Sequence, residues 1–145
     1  MAFRFPLETV LQVRESVEKR EELVLQRIQQ EIAQVQQQID DLDRKIADVL
    51  SAKKKALEQP VTANTLQALL SELNVASAAK QSRTQALNAL EQQRAHQIKI
   101  YQAAHSGRQM LTDMREKQKS AYDQDQDRKQ QKSLDDIFAS RLQRN

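Results

Sequence analysis

Eight aliphatic residues, Leu25, Ile28, Ile32, Val35, Ile39, Leu42, Ile46 and Val49, recur in the first half of the chain at alternating steps of three and four. That spacing gathers apolar side chains into one narrow stripe along a helix. A stripe sustained this far, rich in β-branched residues, is a coiled-coil seam and demands a second helix to cover it. Going backward, Val24, Val17, Val10 and Phe3 keep a seven-residue step on a shifted phase, with Arg14 and Glu21 at the intervening seam positions. The shift reads as a stutter, where the supercoil locally unwinds.

Pro6 suits the first turn of this helix, where its missing N–H has no partner to lose. Glu8 then meets the positive end of the helix dipole. The first helix is predicted over about residues 7–58. Pro60 cannot continue it and pushes Gln59 out of the helical region. A connection at about 59–64 follows, and either Thr62 or Asn64 caps a second helix, Asn64 with Gln67 as an amide version of the capping box. Leu66, Leu69, Leu70 and Leu73 open its apolar face. Ala76, Ala79, Leu87, Leu90, Ile98, Tyr101, Leu111 and Met114 continue it more thinly, to about residue 140. Gly107, isolated in that pattern, weakens the helix without breaking it.

Composition points the same way. The chain has 145 residues but one Gly and two Pro, too few to build many turns. Aromatics are 3% and charged residues 30%, the bias of long helices. The expected fold is therefore all-α: a long two-helix antiparallel coiled coil, a helical hairpin forming a single domain, monomeric when free. Counting outward from the connection, Leu7 stands opposite roughly Arg115. The rest of the second helix is then an overhanging C-terminal end without an intramolecular partner. On it, Leu134, Ile137, Phe138 and Leu142 restore an apolar stripe that either folds back weakly or binds another protein. Two of the three Phe, Phe3 and Phe5, sit in the opening FRFP, so all three Phe lie on segments that the seam does not reach.

Several function classes are disfavoured. The net charge is +3, with Glu and Lys/Arg alternating rather than segregating, which argues against nucleic-acid binding. There is no Cys, so no disulfide or thiolate metal site is available, in keeping with a reducing, cytoplasmic setting. No apolar run is long enough for a membrane span and no signal peptide is visible. His96 and His105 are not spaced as a helical metal pair and read as solvated. Asp123, Asp125 and Asp127 superficially resemble a calcium loop but lack its Gly and closing Glu. Asp40, Asp41 and Asp43 read as a solvated face, and Lys53, Lys54 and Lys55 as a solvated run beside the connection. No phosphate loop or nucleophile elbow occurs. The expectation is a protein without catalytic residues, metal, cofactor or small-molecule substrate.

With both ends read, FRFPLETVLQVRESVEKRE resembles the start of flagellar FliJ proteins, an aromatic–basic–aromatic segment followed by a Leu/Val-rich helix with Arg and Glu. RKQQKSLDDIFASRLQR resembles the ending of that family. Length, two long helices and a central break match as well, so the resemblance spans the whole chain. It implies a soluble flagellar export component, cytoplasmic and peripherally associated with the inner membrane at the flagellar base, that serves motility. The implied architecture is a stalk similar to the central shaft of rotary ATPases. Its ends bind and activate the hexameric export ATPase, through Phe3, Phe5, Leu7 and Val10 with Leu134, Asp135, Ile137, Phe138, Arg141 and Arg144. The half nearer the connection contacts the membrane export gate, through Gln38, Leu42, Val49, Leu69, Leu73 and Ala76. Leu42 and Val49 are also seam residues, which sets the two roles against each other. Export chaperones are further implied partners. The alternatives are a stalk of a virulence type III secretion system and a generic coiled coil that self-associates in parallel.

Overall fold

A computed structural model describes residues 2–144. Among them two helices, α1 (Glu8–Leu57) and α2 (Ala63–Arg144), and no strand carry the whole architecture. They pack against each other as an all-α helical hairpin. The chain divides into two compact units, residues 1–21 with 101–145 and residues 22–100.

The unit spanning 22–100 holds the connection between the helices. The last turn of α1 tightens, with the Glu58 and Gln59 amides donating to the Lys55 and Ala56 carbonyls at 3.3 and 3.4 Å. Thr62 rather than Asn64 is the N-cap of α2. Its Oγ1 accepts from the Thr65 amide at 3.4 Å, and its carbonyl accepts from the Leu66 amide at 3.3 Å. In this unit every predicted seam residue from Leu25 to Val49 is buried or half-buried, with Ile32 and Val49 fully buried. Each fully buried aliphatic side chain contributes about 1.5–3 kcal/mol of transfer free energy. Ala76 is the tightest point on α2, at 2% exposure, and a side chain that small lets the helices approach closely. Leu66, Leu69 and Leu73 share its stripe, but Leu70, expected there, is exposed. It stands one residue past a seam position and turns away from the partner helix. Lys80 holds a seam position and reaches sideways to Asp43 at 2.6 Å.

The unit formed by 1–21 and 101–145 is built differently. Pro6 lies in a turn closed by the Glu8 amide donating to the Phe5 carbonyl at 3.1 Å. This turn folds the opening segment onto the helices. Phe5 is 6% exposed, Leu11 1% and Ala104 8%. The Phe3 ring meets Tyr122, centroids 5.6 Å apart. Two expectations are corrected. The N-terminal aromatics are covered, Phe5 completely, because an extended segment reaches farther per residue than a helix. The same reach gives α2 a partner beyond Arg115, at Tyr122. Past Tyr122 only Gln126 is half-buried and the helix is exposed through Arg144.

Before Leu25 the covered face widens. Val17 and Val24, of the shifted phase, are half-buried, and so are Glu18 and Glu21, while Leu11 is buried. Val10, assigned to the seam from sequence, is 43% exposed on its flank. Met114 on α2 is displaced to the flank in the same way, at 41% exposure.

Candidate functional site: a polar seam and an exposed helix end

The polar stretch of the seam is organised around Glu18. Its carboxylate accepts from Arg108 Nε at 2.5 Å and from Arg108 Nη2 at 3.4 Å, a two-point ion pair across the helices. His105 Nδ1 lies 3.0 Å from Glu18 Oε1, the oxygen that also accepts from Arg108 Nη2, and the His105 ring stacks on Tyr101 with centroids 6.0 Å apart. Hydrogen bonding by Arg108 holds the Glu18 carboxyl below the ordinary carboxylate range. It outweighs the opposing effect of desolvation, and His105 adds to it. The same pairing raises Arg108 still further. His105 is thus part of a cross-helix cluster rather than a solvated histidine, whereas His96 is exposed. Nothing in the sequence spacing of one helix marks this cluster. The signal available was a charged residue, Glu18, standing seven residues before Leu25.

A second ion pair, Arg115 Nε to Glu8 Oε2 at 3.4 Å, lies next to the turn at Pro6. Phe3, Arg4, Phe5, Glu8 and Arg115 together line one recess. No buried side-chain nitrogen or oxygen among the described residues lacks a hydrogen-bond partner. No group of His, Cys, Asp or Glu among them is arranged to hold a metal. Asp125 of the central acidic group pairs with Lys129 one turn on, at 3.3 Å. Asp41 of the other group lies 3.9 Å from Arg44.

The residues expected at the two chain ends separate into two kinds. Phe5 is interior and Phe3 half-covered, so these two fasten the N-terminal segment. Leu7 at 37% and Val10 at 43% exposure are accessible. Leu134, Asp135, Ile137, Phe138, Arg141 and Arg144 are all exposed, with Phe138 at 69%. From Tyr122 to Phe138 the helix rise alone gives about 24 Å. The residues expected to meet a gate lie in the other unit and also divide. Gln38 is exposed, Leu42, Leu69 and Leu73 are half-buried in the seam, and Val49 and Ala76 are buried.

A family model described as flagellar FliJ protein matches residues 3–145. The chain belongs to the flagellar FliJ family. The match takes in the N-terminal aromatic segment, both helices and the exposed end of α2. The family is one of flagellar export components, not a family of enzymes. No curated protein and no solved structure matched the chain. No helix among the described residues is long and apolar enough to cross a membrane.

Proposed function

We propose that this FliJ-family chain is a stalk that engages and activates the hexameric flagellar export ATPase through its C-terminal helix end. The observation that carries the reading is the apolar stripe Leu134, Ile137, Phe138 and Leu142, exposed on a stretch of α2 beyond its last aromatic contact. Exposed large apolar groups recurring on one helical face mark a surface that another protein covers. Arg141 and Arg144 beside it supply charge for an acidic rim, and Leu7 and Val10 offer a smaller accessible patch on α1. In this reading Phe3 and Phe5 act indirectly, by holding the opening segment in place.

Contact with the export gate belongs to the unit spanning 22–100. Gln38 and the half-exposed edges of Leu42, Leu69 and Leu73 meet the gate, while Val49 and Ala76 set the helix spacing beneath them. Export chaperones are further partners. The chain works in the cytoplasm against the inner face of the membrane at the flagellar base.

The test is ATPase stimulation by the purified protein, wild type against the double variant Leu134→Ala, Phe138→Ala. Loss of most stimulation by the double variant supports the reading. Full stimulation by it removes the C-terminal stripe from the mechanism, and no stimulation by wild type removes the activator role.

A further inference from the structure

A two-helix seam covers only its seam positions, yet both helices of the unit formed by 1–21 and 101–145 carry more apolar surface than that. On α1, Val10, Val13 and Val17 each stand one residue before a seam position and repeat at three and four. On α2, Ala103, Gly107, Met110 and Met114 do the same. In an antiparallel pair, the residues just before the seam positions of both helices fall on one flank.

The ion pairs fix how these ribbons align. Glu8 meets Arg115 and Glu18 meets His105, so ten steps forward on α1 match ten steps back on α2. Val13 therefore stands level with Met110, Val10 beside Met114 and Val17 beside Gly107. Arg14 confirms the proximity, since its Nη1 lies 3.4 Å from where a Cβ on Gly107 would be. Val13 is 57% exposed and Met110 70%. Such a face, apolar on both helices and one flank wide, is the seat that a third helix fills in a bundle.

We propose that this flank docks an amphipathic helix of a partner protein whose apolar stripe is bordered by acidic residues. Charge selects the occupant. Arg14 lies over Gly107, Arg20 continues the α1 ribbon beside its ion-pair partner Glu21, Lys117 continues the α2 ribbon, and Asp113 stands at its border, so three cations face two carboxylates. A second copy of this chain would set these cations against one another, whereas an acidic helix neutralises them. Methionines suit the task because their flexible thioethers adapt to a ligand surface.

The experiment uses the full chain and a synthetic helical peptide with leucines at steps of three and four and glutamates beside them. A matched peptide carries lysines in place of the glutamates. Fluorescence anisotropy is expected to show binding of the acidic peptide only. Met110→Asp with Val13→Asp weakens it by about tenfold or more. Arg20→Glu, at a side chain 69% exposed and paired with Glu21, weakens the acidic peptide and strengthens the basic one. The Leu134→Ala, Phe138→Ala variant binds as wild type, which separates this face from the C-terminal stripe of the ATPase reading. Failure to bind, equal binding of both peptides, or indifference to the flank variants overturns the proposal. So does a dimer in sedimentation that Met110→Asp dissolves, which assigns the face to a second copy.

Discussion

Glu18 occupies a seam position that a coiled coil ordinarily gives to Leu or Ile, and it is tolerated because Arg108 and His105 complete its hydrogen bonds. Half-buried between helices, a two-point ion pair is worth more than a solvated one. Glu18→Gln is expected to cost about 1–2 kcal/mol at neutral pH, read from urea unfolding. The folded-state pKa of Glu18 is lowered, so its contribution is complete above the ordinary carboxylate value of about 4.3 and is lost as the pH falls through the lower, folded value. The stability gap between wild type and Glu18→Gln should close below that range. A gap that persists in strong acid would assign the effect to packing. Gly107 offers the opposite case. Its φ is not positive, and a Cβ would meet only the mobile end of Arg14, at 3.4 Å. Gly107→Ala should raise stability by up to about 1 kcal/mol, seen as a higher melting temperature.

At the scale of elements, the N-terminal segment was the least legible part. FRFP reads as two exposed rings because the periodicity of a helix says nothing about a segment that precedes it. The turn at Pro6 and the closeness of Tyr122 are tertiary facts. By contrast, the seam from Leu25 to Val49 was readable residue by residue, since steps of three and four over that distance leave a helix one face to bury. The same rule misplaced Val10, Leu70 and Met114. Each is apolar and one residue off the seam, and hydrophobicity alone does not distinguish a seam from its flank. Phe5→Ala is expected to destabilise by about 3 kcal/mol, since a buried aromatic leaves a cavity. It should also raise amide exchange at residues 3–11, which hydrogen-exchange mass spectrometry reads directly. Unchanged exchange there would mean that Phe3 and Tyr122 hold the segment without it.

At the scale of the molecule, the residues buried in the fold and those proposed to bind are different ones. Leu134, Ile137 and Phe138 are exposed, so the Leu134→Ala, Phe138→Ala variant should unfold within about 0.5 kcal/mol of wild type. A drop in ATPase stimulation without a drop in stability is then a binding effect. A large loss of stability would show that the exposed end of α2 is covered in the free protein. The sequence made this division visible only in part. The apolar stripe near residue 138 was plain, because it follows a long polar stretch, whereas the flank ribbon of Val13 and Met110 merged with the seam pattern.

The polar layer at Glu18 also acts as a detent. A hydrophobic seam alone admits slippage, since sliding one helix by seven residues again sets apolar against apolar. Here such a slip would bring Arg108 against Leu11 or Leu25 and strand Glu18 without its partners. Each seven-residue step would also move the C-terminal end of α2 by about 10 Å. The carboxylate in the seam, together with the short connection between Leu57 and Ala63, thus favours one projection of the stripe at Phe138.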